Sequence, residues 1–592
     1  MHKIFARRDE RLFLWATLFL SVLTVLSALF QRTPHPESEP SFEHMYGAQE
    51  VLGGAGCVVL LLLAVVLTKR GVGGAGECRL AERLSDNPYP LLLSYLGVLV
   101  AASVMVYHNR PLNIDEYSVY FQAEVFAAGK LTGQFPPALV PWLVPSGHEN
   151  HFFTVSPESG RIVTSYWPGF SLLLAPFARL GVPWLLNPLL ATGTLYFLWR
   201  ISLRLFNEKV AAGWVLLFSA ASTAVAVNGI SYYAMSGHLF LNVLYAWLLL
   251  ELTPARLLLA GLAGSLALLQ HNPVPHLLFA LPWMVWILRQ PRCLGKITLL
   301  LLGYLPLVVG GGFGWVWMKM AIMQAGAGSG APGAALGASD AAVTGKANVP
   351  DQDGVCRLLQ TPYRLLKEIL TLPDFDFLWL RLLGFLKLFA WAVPGLPILA
   401  MLGWRRLRGE DSLLRLWAWA ALTTVVGYLF VPVSQGHGWG FRYFHSAWAA
   451  LPLLAASFVL QPGAAGSSFR RCICLLTVVS LFLANGLRFW QTERFIARHL
   501  QQLPPVEKKV DDDTVQLVFI DGLQGYFAQD LVQNDPFLRE NTIFFISRGG
   551  PENRRMLQTH FPSARRVARK GLHGVWIVDA AEWRALLAPE SS

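Results

Sequence analysis

An acidic pair, Asp115-Glu116, opens a segment whose pattern predicts an amphipathic helix that stops near Gly129. A carboxylate at the membrane interface can take a proton from an attacking hydroxyl group, or bind a divalent cation through its oxygen atoms. Asp115 and Glu116 are therefore candidate catalytic residues, and Asp115 is the candidate ligand if a metal ion is bound. An apolar stripe on one side of the helix is typical of a helix in the membrane interface. It consists of Tyr117, Tyr120, Phe121, Val125 and Ala128.

The acidic pair also has a structural explanation. Negative charge is favoured at a helix N-terminus by about 0.3–1 kcal/mol. Asn113, followed three residues later by Glu116, resembles a capping box. This explanation accounts for Glu116 but gives Asp115 no role. We therefore expect Asp115 to be the catalytic carboxylate and Glu116 to support it.

A second candidate site is the glycine-rich segment from Gly436 to Tyr443. Its arginine, Arg442, can bind a phosphate group through two parallel hydrogen bonds, and the glycines indicate that the backbone closely approaches another group. The alternative is that Arg442 extends to lipid headgroups. The candidate residues for binding a phosphate-bearing substrate are Arg442, Tyr443, His437, Tyr166 and His238.

Two of these predicted contacts have structural alternatives of their own. Tyr166 precedes a short apolar run, 170–180, which predicts a second interface helix. Aromatic residues at such a helix form a belt at headgroup depth. His238 stands at the start of a predicted span, where a histidine is more often a structural hydrogen-bonding group.

The elements that must position these residues are membrane helices. Of the 592 residues, 54% are hydrophobic and only 14% are charged, whereas a soluble protein has about a quarter of its residues charged. The apolar residues fall in blocks long enough to cross a hydrocarbon core of about 30 Å as helices. About thirteen such spans are predicted. They lie near 11–30, 51–68, 90–107, 183–204, 210–227, 237–252, 256–270, 273–289, 297–318, 382–403, 413–432, 443–461 and 472–490.

The distribution of Lys and Arg predicts how these spans are oriented. Basic residues collect in the short loops on one side, which predicts an inner-membrane protein with a cytoplasmic N-terminus. The net charge of +11 is thereby explained without a nucleic-acid partner. The long segments 108–182, 319–381 and 491–592 are then periplasmic. Loops of such length are usually functional or disordered.

The last hundred residues predict a small α/β domain. Strands are expected at 514–520, 541–547 and 574–579, and helices near 523–534 and 551–560. No catalytic constellation stands out there, so a structural or partner-docking role is expected. The predicted domains are a two-helix addition at 1–89, a transmembrane core at 90–490 and the periplasmic domain at 491–592.

The first long loop resembles that of bacterial membrane glycosyltransferases of the C-type fold (GT-C), which include relatives of protein O-mannosyltransferases and of the aminoarabinose transferase (ArnT-like). The resemblance lies in Asp115-Glu116 with the helix up to Gly129, and in Tyr166-Trp167-Pro168-Gly169. It covers about residues 90–460. The Lys-Pro-Pro motif of the aminoarabinose branch is absent, because Tyr166-Trp167-Pro168 stands in its place. Two spans also precede the loop-bearing span, where the family core usually starts with one.

The resemblance implies a sugar donor on a polyprenyl phosphate and transfer with inversion to a glycan, lipid or protein acceptor. It also implies that Asp115 is the base or the carboxylate that positions the acceptor, and that the segment 319–381 orders over the donor. No cofactor is certain, although a divalent metal ion is possible. The alternatives are a transporter or flippase and a non-catalytic scaffold of envelope glycan assembly. Against a transporter, the predicted spans are nearly free of central charges and no internal repeat is found.

Overall fold

The computed structural model describes residues 4–32, 42–72, 79–149, 151–324, 372–407, 412–431, 435–436, 438–461, 465–506, 513–523, 525 and 527–587. The chain is mainly α-helical, with a small sheet domain near its C-terminus, as predicted. By its internal contacts it forms two units. The helical unit comprises Met1–Val106, Trp184–Val308 and Gln352–Thr492. The mixed unit comprises Tyr107–Pro183, Val309–Asp351 and Glu493–Ser592.

Most of the helical unit consists of apolar helices. Their bounds are Arg8–Phe30, Phe42–Lys69, Arg79–Asp86, Tyr89–Met105, Leu186–Leu205, Val210–Ala220, Thr223–Asn228, Met235–Leu249, Pro254–Leu268, Val274–Leu288, Cys293–Leu307, Phe375–Ala390, Leu396–Arg405, Ser412–Leu429, Arg442–His445, Ala450–Leu460 and Ser467–Val479. Two of them continue through π-helical segments, Val308–Phe313 and Ser480–Ala484, into Gly314–Gln324 and Asn485–Leu500.

Each of the thirteen predicted spans contains at least one helix, but few of these helices are long. Among the described residues, four are long and apolar enough to cross a membrane, or five if the bent pair Arg79–Asp86 and Tyr89–Met105 forms one span. The four are Arg8–Phe30, Phe42–Lys69, Cys293–Met323 and Ser467–Leu500. The predicted spans 210–227, 382–403 and 443–461 are each divided into two helices.

The division of the predicted span 382–403 has a local cause. Gly395 has φ +80°, a left-handed conformation that ends one helix before the next begins at Leu396. A side chain at position 395 would also collide with the ring of Phe13 and with Thr17. The first membrane helix therefore packs directly on this break. A break that is covered by another helix is tolerated in a membrane protein.

The helical unit also buries an ion pair between distant parts of the chain. Arg488 Nη2 lies 2.7 Å from Glu50 Oε2, and both side chains are at most 2% exposed. Trp391 donates its indole N–H to the other oxygen of Glu50 at 2.6 Å. Lys387, which is fully buried, lies close enough to Glu50 to interact with it electrostatically. Glu50, Lys387 and Arg488, which lie near the ends of predicted spans, are thus buried inside the helical unit.

The mixed unit contains two small sheets. The first has three antiparallel strands in the order Gly133–Gln134, Arg161–Thr164, Phe153–Val155. The second has four strands in the order Thr542–Ile546, Thr514–Ile520, His573–Asp579, Arg565–Lys570, of which only the first two pair in parallel. The α-helices are Ile114–Ala127, Val140–Leu143, Gly169–Arg179, Gly314–Gln324, Gly550–His560 and Ala580–Leu587.

The C-terminal strands confirm most of the predicted α/β pattern. All three predicted strands are present, as is the helix near 551–560. The helix predicted near 523–534 is wrong, because the described part of this segment forms only the 3-10 turn Ala528–Leu531. The strand Arg565–Lys570 was not predicted. This strand lies at the sheet edge and is mostly exposed, so it carries the charges that protect an edge instead of an alternating apolar pattern.

The apolar stripe of the helix Ile114–Ala127 is covered by protein. Tyr117, Phe121 and Val125 are buried in one core cluster with Phe153 of the first sheet and Phe519 of the second. The prediction that this side lies in the membrane interface is therefore wrong. Burial of each large apolar side chain contributes about 1.5–3 kcal/mol, so the first long loop and the C-terminal strands stabilise each other.

Polar contacts join the same two parts of the mixed unit. The hydroxyl of Tyr117 donates to the carbonyl of Asn534 at 2.6 Å and accepts from its N–H at 2.7 Å. The backbone N–H of Gln134 donates to the carbonyl of Pro536 at 3.0 Å. The segment 534–536 thus binds both the helix Ile114–Ala127 and the first sheet. The predicted division at residue 491 remains a prediction, since loop and tail share one unit by their contacts.

Candidate active site

The candidate site begins at the N-terminus of the helix Ile114–Ala127. The side chain of Asn113 accepts a hydrogen bond from the backbone N–H of Glu116 at 3.2 Å, which satisfies one of the free N–H groups at the helix start. The carboxylate of Glu116 is fully buried. It accepts from the hydroxyl of Tyr107 and from the backbone N–H of Leu112, both at 2.6 Å. Through Tyr107 and Leu112, Glu116 therefore holds the preceding turn against the start of the helix.

Asp115, one residue earlier, is in a different environment. Its side chain is only partly buried, and its Oδ1 accepts a short hydrogen bond from the hydroxyl of Tyr166. Successive helical residues point about 100° apart. One carboxylate of the pair can therefore be fully buried while the other remains accessible. A partly exposed carboxylate with an oriented oxygen is suited to accept a proton or to orient a hydroxyl group.

Tyr166 is itself held by the helix Gly314–Gln324. The indole N–H of Trp315 donates to the carbonyl of Tyr166 at 2.9 Å. One turn later, the ammonium group of Lys319 donates to the carbonyl of Ser165 at 2.7 Å. A positive charge is thus fixed beside the segment that supplies the tyrosine. Lys319 was not predicted as a site residue, although a lysine near the end of a long apolar run is itself a signal.

We predict that Tyr166→Phe lowers the rate of the reaction about tenfold, because an Asp115 without its hydroxyl donor keeps its charge but loses its orientation. The rate of product formation by purified protein at saturating donor is the measurement. Tyr120→Phe is the matched control, since it removes a tyrosine hydroxyl that bonds Glu124 on the same helix. Equal rates for both variants would remove Tyr166 from the site.

Glu124, on the same helix, is a second unusual carboxylate. Its pKa is raised to about 7, mainly by burial and also by the nearby carboxylates of Asp535 and Glu540. The hydroxyl of Tyr120 and the charge of Arg539 act in the opposite direction. A carboxyl group whose pKa is higher in the folded protein than in the unfolded chain favours folding when it is protonated.

The raised pKa of Glu124 makes the stability of the folded protein decrease as the pH rises. Protonated Glu124 stabilises the folded protein fully below the pKa of the unfolded chain, near 4.5. This stabilisation is lost as the pH rises through about 7. We expect the full chain to lose on the order of 1–3 kcal/mol of stability between about pH 5 and pH 8 through this group. Thermal unfolding in detergent measures it. Glu124→Gln should flatten the profile, whereas Glu552→Gln, at an exposed site, should not.

The predicted donor-binding residues of the helical unit are only partly assembled. Arg442 donates to the carbonyl of Gln435 at 2.9 Å, and its guanidinium lies 4.5 Å from the ring centre of Tyr233. Tyr443 stacks on Tyr428 with 4.5 Å between ring centres. The arginine is thus held in place from two sides, whereas Tyr443 is part of an aromatic stack.

His238 is buried, and neither of its ring nitrogens has a hydrogen-bond partner among the described residues. Arg442 is close enough to His238 to affect its charge. Two predicted residues of the donor site are therefore neighbours. His437 lies outside the described residues. Tyr166 belongs to the other unit, where it binds Asp115.

The described part of the chain contains no group of three or more His, Cys, Asp or Glu residues that could hold a metal ion. The carboxylate of Asp115 bonds a tyrosine hydroxyl. A divalent metal ion at Asp115 therefore stays a prediction.

No protein-family model and no curated protein matches the sequence. Two crystal structures of ArnT from Cupriavidus metallidurans are similar to the chain. The structure bound to undecaprenyl phosphate has 12% sequence identity and a TM-score of 0.47, over 85% of this chain and 99% of that chain. The apo structure has 13% identity and a TM-score of 0.45 over the same shares. At such identities a likeness does not extend to residues or reactions.

Proposed function

We propose that the protein is a membrane glycosyltransferase that transfers a sugar from a polyprenyl-phosphate donor to a hydroxyl-bearing acceptor. The reaction would take place at the periplasmic face of the inner membrane, with the N-terminus in the cytoplasm. The acceptor is a glycan, a lipid or a protein. The single observation that carries the proposal is the different environment of the two carboxylates in the acidic pair.

Asp115 is the proposed catalytic carboxylate. Inverting transfer needs one group that takes the proton of the acceptor hydroxyl as the new glycosidic bond forms. The carboxylate is partly exposed and is oriented by the hydroxyl of Tyr166. Glu116 supports it by fixing the helix start through Tyr107 and Leu112. In this role Glu116 is a positioning residue and does not contact the substrate.

Arg442 is the proposed ligand of the donor phosphate. Its side chain is fixed by the carbonyl of Gln435 and the ring of Tyr233, so little conformational entropy is lost when a phosphate binds. A guanidinium group matches the geometry of two phosphate oxygens and stabilises the negative charge that remains on the leaving group. The buried imidazole of His238 lies beside it and provides a further hydrogen-bonding group.

The proposed reaction can be tested in membranes of cells that lack the protein and of cells that overproduce it. Mass spectrometry compares the lipid-linked donors, the glycolipids and the envelope glycans of the two strains. We expect one polyprenyl-phosphate sugar to accumulate in the absence of the protein and to be consumed in its presence. Movement of the intact donor across the membrane without release of polyprenyl phosphate would indicate a flippase instead. Unchanged glycans and lipids in both strains would reject both activities.

A further inference from the structure

The edge strand Arg565–Lys570 of the mixed unit concentrates positive charge. Its sequence is Arg-Arg-Val-Ala-Arg-Lys, with no acidic residue, and the strand is mostly exposed at one side of the four-stranded sheet. Within the described ranges, Arg565, Arg566 and Arg569 form no ion pair with a carboxylate. Neighbouring like charges repel each other, so the strand is electrostatically suited to a partner of opposite charge.

A β-bulge determines how two of the arginines are arranged. Arg566 is opposite Trp576 and Arg569 is opposite Gly574, with a shift of register between Arg566 and Ala568. Trp576 and Gly574 are two residues apart and therefore lie on the same side of the sheet. Arg566 and Arg569 consequently share that side, although residues three apart in a regular strand point to opposite sides. The two side chains start about 7 Å apart along the strand.

The other side of the strand carries the remaining two basic residues. Arg565 is opposite Ile577 and Lys570 is opposite His573. Ile577 and His573 are an even number of residues apart, so Arg565 and Lys570 share the second side. All four side chains therefore border the free edge of the sheet. A small anion would meet only one pair, whereas a flat anionic surface that approaches the edge meets both.

Protection against pairing with another strand is a structural reason for charge at a sheet edge. Charges of either sign serve that purpose, whereas every charged residue of this strand is basic. Val567 and Leu572, beside the arginines, are also 45% and 56% exposed. Exposed apolar groups do not help to keep other strands away. Basic residues combined with exposed apolar ones are instead typical of segments that bind the interface of an anionic membrane.

The strand is attached directly behind the last long helix. The ammonium group of Lys570 donates to the carbonyl of Gln501 and, at 3.3 Å, to that of Leu503. Both residues follow the helix Ser467–Leu500, a candidate membrane span. Its apolar part is predicted to end near residue 490, about 15 Å of helix before Gln501. A headgroup layer is about 5–8 Å thick, and its potential extends about 8–10 Å further. The Lys570 end of the strand is therefore within electrostatic reach of the lipid.

We propose that the strand Arg565–Lys570 docks by its free edge onto the headgroups of anionic phospholipids and holds the mixed unit at the membrane surface. A phosphatidylglycerol headgroup fits, because its phosphate is not balanced by an amine and can accept two hydrogen bonds from one guanidinium group. Val567 and Leu572 then lie at the boundary between headgroups and acyl chains. Membrane docking by this strand does not depend on the proposed reaction, since Asp115 and Arg442 take no part in it.

Lipid contact of the strand can be measured in full-length protein in nanodiscs. Val567→p-benzoylphenylalanine places a photoreactive group between the arginines, and mass spectrometry identifies the molecules that it captures. We expect about fivefold more captured lipid, or a larger gain, when about a third of the phosphatidylcholine is replaced by phosphatidylglycerol. Salt at about 0.5 M should remove this gain, because it screens exposed charges.

Two sets of variants test whether the arginines cause the gain. Arg565→Gln, Arg566→Gln and Arg569→Gln together should abolish it and leave the temperature of unfolding unchanged, because all three side chains are exposed. The matched control is Arg554→Gln with Arg555→Gln, which removes two exposed arginines from the helix Gly550–His560 of the same unit and should retain the gain. If the triple variant is unstable, the salt series on the unchanged arginines decides the same question.

Three results would overturn the proposal. The first is equal capture of lipid in discs with and without phosphatidylglycerol, and the second is a gain that survives the triple change or high salt. The third concerns a soluble polyanion, which is the other partner that matches the charge. Heparin, added at low salt to discs that contain phosphatidylglycerol, should not displace the lipid from the photoreactive group. Capture of heparin in preference to lipid would mean that the strand binds polyanions and not the membrane.

Discussion

Sugar transfer is expected to fall by about 10²–10⁴-fold when Asp115 is replaced by Asn, because an amide cannot take the proton of the acceptor hydroxyl. The replacement keeps the size of the side chain and its ability to accept a hydrogen bond from Tyr166. Binding of the lipid phosphate and the temperature of unfolding should therefore change little. The rate is measured under single-turnover conditions with excess protein, so that product release does not hide the chemical step.

Two variants control this prediction. Asp513→Asn removes a carboxylate from an exposed position of the same unit and should transfer sugar at the wild-type rate. Tyr107 and Leu112 donate to different oxygens of Glu116, so Glu116→Gln keeps an acceptor for only one of them and also removes the buried charge. It should lose stability as well as activity, whereas Asp115→Asn should lose activity alone. If Asp115→Asn retained more than about a tenth of the activity, the carboxylate would not be the base.

The second large effect concerns the ion pair between Glu50 and Arg488. Replacing Arg488 by Met should destabilise the protein by about 3–5 kcal/mol, because it leaves a buried carboxylate without its charge partner. Glu50→Gln should have a similar effect, since Arg488 and Lys387 then lose their common counter-charge. Both residues are at most 2% exposed, so water cannot compensate. Thermal unfolding of the full chain in detergent gives the direction and the order of magnitude.

A double-mutant cycle separates the pair from its surroundings. The variant with both Glu50→Gln and Arg488→Met should be destabilised by less than the sum of the single changes, because no unpaired charge of the pair remains. Arg204→Met, which removes a partner of the exposed Glu251, should change the stability far less than either buried change. Additive effects of the two buried changes would show that Glu50 and Arg488 are not coupled.

The sequence predicted what depends on local pattern. Apolar blocks of about twenty residues predicted the membrane helices, and Asn113 predicted the start of the helix that carries Asp115. The buried strand at 514–520 was visible because its residues are almost all apolar. These features are decided by neighbouring residues in the chain. The environments of Asp115 and Glu116 were distinguished on the same local grounds.

The features that were missed depend on contacts between distant residues. The partner of Tyr117 is Asn534, which is 417 residues away, so the helix pattern alone suggested a membrane surface. The partner of Glu50 is Arg488, 438 residues away. Lys387 stands among apolar residues near the end of a predicted span, where its burial is not visible. Sequence periodicity carries no information on such pairs.

The shared core of the first long loop and the C-terminal strands has a consequence for biosynthesis. A ribosome completes the loop hundreds of residues before it adds the segment around Asn534. Until then, the aromatic residues of the helix after Asp115 have no cover, and chaperones or membrane lipids must shield them. A polypeptide terminated early therefore displays an unfinished loop that proteases can recognise. The segment around Asn534 is therefore required before this loop can complete its core.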